Sequence, residues 1–394
     1  MSAISGQGRH DLRLLAAGVA VSTMGDQFAS VALVLRLRPH GTGWIAALLA
    51  AQVAPMILLA GFIGMLIDRT ETRRVLLYAV IGQAVVAIPL ALAHAPALIV
   101  PLFFTLGVFN AAVRPATNAL VPAIAGEAEA TRGFARLALA MSFGFVFGPA
   151  LGGVLTAAFG ATTALLIDAG TFLVLAVLCL GLRTRRVPAA VDPAADAVVE
   201  SARTARRAGW AALWNDRVLR TVFAVTAVVT AAAVVDNVAA PFRFIDQLGT
   251  TATGYGVYLS LWGAGMGVGA QLAPRLPARA ARYVPAAGQL ILALGIAGIG
   301  AAPGLAVAYV CSALGGIGNG MANVAQNALV TARVPDATRG RAFAASAGVF
   351  QGAFAVGSAA GGPIVALLDA GTAMIVCGLV GAGAAAAGLV ALRR

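Results

Sequence analysis

"NAAVRPATNALVPA", residues 110–123, returns 209 residues later as "NGMANVAQNALVTA", residues 319–332, with seven of fourteen positions unchanged. The same offset carries "GPALGG" (148–153) onto "GSAAGG" (357–362), and "TRGFA" (131–135) meets "TRGRA" (338–342) two residues out of step. A chain that repeats itself at a fixed offset is built from two like units. Working outward, each repeated stretch sits in or beside a long apolar run. Of 394 residues, 60% are hydrophobic and 11% charged, and the mean hydropathy is +0.90. A soluble globule carries about 25% charge.

A helix that crosses a bilayer needs roughly 20 apolar residues. Twelve such runs follow one another, approximately 12–35, 44–67, 75–95, 97–120, 134–158, 161–182, 218–242, 254–274, 283–302, 304–330, 342–367 and 371–392. The first is too long for a cleavable signal, carries Asp26 and is not followed by a small-residue cleavage site. Residues 183–217 break the pattern with charge and alanine and separate six runs from six. The expected architecture is an all-α membrane protein of twelve transmembrane helices in two pseudo-symmetric six-helix bundles. Residues 1–182 and 218–394 form the bundles, and 183–217 is a cytoplasmic linker.

The 27 basic residues are all arginine. With the amino terminus placed in the cytoplasm, 23 of them fall in cytoplasmic segments, eight of these between Arg183 and Arg220. Only Arg36, Arg38 and Arg243 fall outside, and Arg114 lies within a run. The positive-inside rule therefore puts both termini in the cytoplasm of a bacterium, with the chain multi-pass in the plasma (inner) membrane. It also accounts for the net charge of +12. Nucleic acid is not an expected partner, because these arginines are spread over short loops and form no patch with aromatics. Cys179, Cys311 and Cys377 lie singly in apolar runs and read as small core residues. His10, His40 and His94 fall at a terminus or at helix ends and suggest no metal site. No HExxH, GxSxG or phosphate-loop pattern occurs, so neither an enzyme nor a cofactor is expected.

Polar groups are costly in a bilayer and usually face protein or water. In the first run Ser22, Thr23, Asp26, Gln27 and Ser30 trace one helical face. In the fourth, Asn110, Arg114, Thr117 and Asn118 do so, and in the tenth, Asn319, Asn323, Gln326 and Asn327. The seventh aligns Thr226, Thr230 and Asn237. Individual members of these stripes could equally serve as hydrogen-bonding glue between helices. Asp26 is the sharpest of them, about 21 Å along a helix that starts near Leu12, at 1.5 Å per residue. A carboxylate at that depth is costly to keep charged and suits a group that loads and releases a proton. Asp236 is a second candidate for coupling, or a rim residue nearer the outer surface. Asp168 and Asp369 are expected to be solvated at outer helix ends.

"GFVFGPALGG", residues 144–153, puts Gly144, Gly148 and Gly152 on one helical face, where small residues let two backbones approach. Pro149 weakens the local hydrogen-bond ladder and permits a bend.

These features resemble the major facilitator superfamily. "GMLIDRTETRR", residues 64–74, is similar to its cytoplasmic loop signature G-x-L-x-D-R with a basic cluster, through Gly64, Leu66, Asp68, Arg69, Arg73 and Arg74. Glu71 and Thr72 depart from it, and "AQLAPRLPARA" (270–280) is a worn second copy. Gly144, Gly148, Pro149, Gly152 and Gly153 match the antiporter motif G-x-x-x-G-P-x-x-G-G of drug:proton exporters. The likeness spans the whole chain and is nearest the twelve-helix branch with macrolide and siderophore exporters. Phe103 stands where many drug:proton antiporters carry an arginine, so whether Arg114 substitutes or snorkels stays open. The resemblance implies that the four striped helices line a central cavity and that the antiporter motif makes a tight contact between helices 5 and 8. It also implies a cytoplasmic gate at Asp68. Trp262 is a further cavity candidate, with Tyr255 and Tyr258 either beside it or in an interfacial aromatic belt.

The expected function is export of amphiphilic small molecules, drugs or metabolites, in exchange for protons by alternating access. The alternatives are a facilitator or importer of sugars or metabolites on the same fold, and a non-transporting membrane sensor or scaffold. The expected partners are the small-molecule substrate, protons and the lipid bilayer, with the chain acting as a monomer.

Overall fold

The computed structural model describes residues 6–126, 129–184 and 209–393. Most of the linker expected over 183–217 lies outside them. The helices are α1 (Gly6–Leu37), α2 (Thr42–Arg69), α3 (Thr72–Leu92), α4 (Pro96–Ala125), α5 (Ala130–Gly181), α6 (Arg217–Pro241), α7 (Ala252–Leu272), α8 (Val284–Ala301), α9 (Leu305–Arg333), α10 (Asp336–Leu368) and α11 (Ala370–Ala391). No strand occurs among the described residues. Ten segments are long and apolar enough to cross a membrane. One of them, α5, is 52 residues long and bends at Gly160, whose φ of 82° and ψ of 162° leave the helical region. A β-carbon disfavours such a φ, and glycine tolerates it.

The chain divides into two compact units, Met1–Val191 with Thr251–Ser260, and Asp192–Thr250 with Leu261–Arg394. In the first, α1 is clasped between the two arms of α5. On one side the glycine face of α5 lies on α1. A β-carbon at Gly144 would stand 2.9 Å from Thr23 Cγ2, one at Gly148 2.7 Å from Gln27 Cβ, and one at Gly152 2.9 Å from the Phe28 Cα. On the other side Gly18 and Gly25 of α1 lie on the second arm, where a β-carbon at Gly18 would stand 2.6 Å from Leu175. Backbones this close bring many atoms into van der Waals contact, which is what drives helix association when lipid is as apolar as leucine.

The glycine face expected to meet the helix at 254–274 therefore meets α1 instead. Only Gly153 and Pro149 turn toward the start of α7. A β-carbon at Gly153 would stand 2.5 Å from the Ala252 carbonyl oxygen, and one at Gly256 would strike the Pro149 carbonyl. The Ala150 N–H also donates to Ser260 Oγ at 2.9 Å. The motif thus serves two neighbours, because glycines 148 and 152 lie on one face while 149 and 153 lie a residue further round the helix.

Polar groups fasten the ends of this unit. Buried Asp11 accepts hydrogen bonds from the Arg183 and Thr184 amides and from the Thr184 hydroxyl, tying the start of α1 to the chain leaving α5. Arg36, at the far end of α1, donates to the Ala91 and Ala93 carbonyls at 2.9 and 2.8 Å and to Thr162 Oγ1 at 2.8 Å. A guanidinium there satisfies carbonyls that the end of α3 leaves open and opposes its dipole.

In the second unit α6 lies between α10 and α11. A β-carbon at Gly361 would stand 2.9 Å from Val238, and one at Gly388 would press on Val225. Arg243, in the π-helical turn Phe242–Gln247, donates to the Ile299 and Ala302 carbonyls at the end of α8. Asp369, between α10 and α11, has a φ of 64°. It accepts from the Thr372 amide at 3.2 Å and from Gln247 at 3.0 Å. On the outside of both units apolar side chains stand free, Leu58 at 70%, Leu139 at 72% and Leu367 at 83% exposure. That inversion of the soluble pattern suits a lipid surround.

Candidate functional site

A cavity of about 300 Å³ lies inside the first unit, walled by α1, α2, α3, α4 and α5. The stripe of α1 supplies Ser22, Thr23, Asp26, Gln27 and Ser30, and that of α4 supplies Asn110, Arg114, Thr117 and Asn118. Two of the four expected stripes therefore meet in one space. Their helical spacing places them on facing sides of adjoining helices, and both helices are held there by glycine contacts: α1 by α5, and α4 by α2, where a β-carbon at Gly107 would stand 3.0 Å from Pro55. Asp26 is half-buried, and no hydrogen bond or ion pair joins it to another described side chain. Arg114 lines the cavity, as does Phe103.

The sequence reading missed several lining residues. Gln52 and Met56 come from α2, and Met141 and Phe145 from the first arm of α5. Asp168 is the important one. Expected to be solvated, it is 2% exposed and lines the same cavity as Asp26. Thr171 Oγ1 donates to its carbonyl at 2.7 Å and approaches its Oδ1 at 3.3 Å. The physical reason is Gly25: α1 has no side chain there, so the second arm of α5 closes over the carboxylate. The signal available in the sequence was the "IDAGT" stretch, an aspartate with a threonine one turn on, inside an apolar run.

The expected residues of the second unit fall differently. Asp236 is buried in α6 at 4% exposure. Asn237 is half-buried on the same helix. In α9, Gln326 Nε2 donates to Thr226 Oγ1 of α6 at 2.5 Å, a hydrogen bond between helices. Asn323 bonds Asn319 Oδ1 at 2.8 Å, Asn319 Nδ2 reaches Met266 Sδ at 3.7 Å, and Asn327 is exposed. Trp262 packs on Gly315, where a β-carbon would meet its ring at 2.9 Å. Tyr255 and Tyr258 are 3% and 2% exposed, with ring centroids 5.8 Å apart, so they are not a lipid-facing belt.

In the loop signature, Gly64 and Arg69 are exposed, and the Asp68 side chain lies outside what the structure describes. Arg73 donates to the Leu182 carbonyl at 2.6 Å and the Leu180 carbonyl at 3.4 Å, holding the end of α5. Arg74 pairs with Glu71 at 2.9 Å. Among the described residues no group of His, Cys, Asp and Glu could hold a metal ion.

The family model described as "Major Facilitator Superfamily" matches residues 15–358 and 237–394. The uncharacterized MFS-type transporter YfiS of Bacillus subtilis (strain 168) is 25% identical over 376 residues, covering 93% of this chain and 89% of that protein. Among solved structures, the nucleoside transporter NupG aligns over 98% of this chain and 99% of its own, with TM-score 0.77 and 13% identity. A bacterial homologue of the human lysosomal transporter Spinster, in an inward-facing and occupied conformation, aligns over 99% and 97% with TM-score 0.78 and 13% identity. At that identity the likeness is one of fold.

Proposed function

The chain belongs to the Major Facilitator Superfamily and is a multi-pass membrane protein; on that premise we propose that it exports amphiphilic small molecules in exchange for protons by alternating access. The observation that carries the reading is Asp26, an acidic side chain opening on a cavity within the span of the membrane helices. One wall of that cavity is polar. Phe103, Phe145, Met56 and Met141 make the rest apolar, a lining that suits an amphiphilic guest. Asp26 is the coupling group and Asp236 a second carboxylate in reserve.

The proposed topology has twelve crossings. α5 counts as two because of the bend at Gly160, and Ala252–Leu272 counts as one although its hydropathy leaves it outside the ten. The bundles, 1–182 and 218–394, are joined by the linker 183–217 and are related by pseudo-symmetry. Two correspondences at or near the repeat offset support this. Gly160 and Asp369, 209 residues apart, both have positive φ between helical arms, and Arg36 and Arg243, 207 residues apart, both reach terminal carbonyls of a neighbouring helix. Both termini lie in the cytoplasm of the bacterial inner membrane, and the chain works as a monomer.

The test uses everted vesicles from an expressing strain, energised by respiration and offered a panel of fluorescent amphiphiles. At least one compound should be taken up against its gradient, and a protonophore should abolish the uptake. Uptake that survives the protonophore, or that runs only downhill for every compound, contradicts proton-coupled export.

A further inference from the structure

α4 brings an unpaired arginine to the cavity. Arg114 lines it and is exposed, and no hydrogen bond or ion pair joins its side chain to another described residue. Asp26 and Asp168 line the same cavity, yet neither pairs with it. The arginines at the opposite helix ends differ. Arg36 donates to the Ala91 and Ala93 carbonyls, and Arg243 to those of Ile299 and Ala302. An arginine within a membrane span normally pairs with an acid or with backbone carbonyls, and such residues mark substrate paths. The neighbours of Arg114 repeat the pattern. Asn110 and Asn118, one turn to either side on the same face, are exposed, line the cavity, and have side chains with no hydrogen bond to another described residue. Further along α4 the same face turns apolar. Phe103 precedes Arg114 by eleven residues, close to three full turns, and so lies on the same side about 17 Å away. Met141 and Phe145 of the first arm of α5 line the same space.

We propose that Arg114, with the Asn110 and Asn118 amides, forms an anion subsite for a carboxylate of the exported molecule, whose apolar body extends along α4 toward Phe103. This rests on the exporter reading and names its substrate class, amphiphilic carboxylates. The planar guanidinium fork offers paired N–H groups that match the two oxygens of a carboxylate, and the flanking amides add N–H donors. Such a guest supplies the counter-charge that no described residue provides. A neutral guest would displace water from the guanidinium and leave it unpaired, which is costly. Arg114 thus selects the guest, while the coupling role of Asp26 is separate.

The probe is 1-naphthylacetate, compared with 1-naphthylacetamide, which has the same body and a neutral head. Binding to the full-length protein in phosphatidylcholine nanodiscs is measured by calorimetry, with empty nanodiscs subtracted. The wild type should bind the acid at least about tenfold more tightly than the amide, the difference expected of one hydrogen bond between charged groups. Arg114→Gln should weaken the acid alone and bring the two affinities together, whereas loss of a merely structural arginine would weaken both alike. Arg114→Lys should keep an intermediate preference, because it retains the charge without the fork. A wild-type preference near one overturns the subsite. So does the absence of acid binding at millimolar probe, or a full preference retained in Arg114→Gln. If Arg114→Gln does not fold, the wild-type preference and Arg114→Lys still decide. Uptake by energised everted vesicles is scored separately. Acid preference without uphill transport would remove the exporter reading and keep the subsite, and uphill transport of non-carboxylates alone would do the reverse.

Discussion

Asp168 lies directly over Gly25. The carboxylate Oδ1 stands 2.5 Å from where a β-carbon at Gly25 would be, and Thr171 Oγ1 lies closer still to that point. One missing side chain on α1 thus lets a polar group of α5 reach the cavity wall beside Asp26. Gly25→Val is expected to push the second arm of α5 away. Overpacking of this kind costs about 1–3 kcal/mol. The variant should melt lower than wild type in detergent and lose transport. Wild-type melting and efflux in Gly25→Val would show that the two helices are not in close contact.

Gly148 makes the matching contact on the other side of α1, 2.7 Å from Gln27 Cβ at its virtual β-carbon. Gly148→Leu should abolish efflux while the protein still reaches the membrane. Removing the partner's β-carbon, as in Gln27→Gly, should recover part of the stability if the clash is with α1. No recovery in the double variant would place the contact elsewhere.

Asp216 gives a pH-dependent prediction. It caps the start of α6 by accepting from the Leu219 amide at 2.9 Å, and it pairs with Arg333 at 3.0 Å. Burial alone would raise its pKa, but the amide and the guanidinium outweigh that and hold it below the ordinary 3.8. A carboxyl held low in the folded state stabilises fully above its unfolded value and loses that contribution as pH falls through the folded one. Asp216→Ala should therefore cost about 1 kcal/mol at neutral pH, as lost helix caps do. The difference in melting between variant and wild type should close as pH drops below 3.8. A difference that is constant with pH would mean the carboxylate charge plays no part.

The positive-inside pattern makes a further prediction. A reporter fused after Arg38 and one fused after Arg207 should lie on opposite sides of the membrane. The same side for both would break the proposed count of twelve crossings.

Much of the fold was legible because a membrane helix announces itself by length and apolarity, and because the repeat at 110–123 and 319–332 marked two units. Asp26 was legible for the same reason: a charged group at mid-depth in an apolar run stands out. Asp168 did not, because its distance along the chain from the run's end suggested solvent. Its burial depends on a glycine in another helix, which periodicity within one segment cannot report. The glycine stretch at 144–153 was legible as a site of close approach, and its expected partner holds for Pro149 and Gly153 but not for the face of Gly144, Gly148 and Gly152. Spacing fixes which residues share a face, and packing decides that α1 covers that face. In the second unit, the stripe in α9 could not be divided in advance into inter-helix glue, such as Gln326 on Thr226, and groups left for a guest.

The central claim is that Asp26 couples substrate to protons, and Asp26→Asn tests it most directly because it keeps the shape and removes the titrating group. The measurement is transport by purified protein in proteoliposomes, with and without an imposed pH gradient, for a compound the wild type accumulates. Asp26→Asn is expected to lose uphill movement and substrate-induced proton release entirely while still equilibrating the compound downhill. Uphill transport by Asp26→Asn at the wild-type rate, with proton release intact, would contradict the coupling role of this carboxylate.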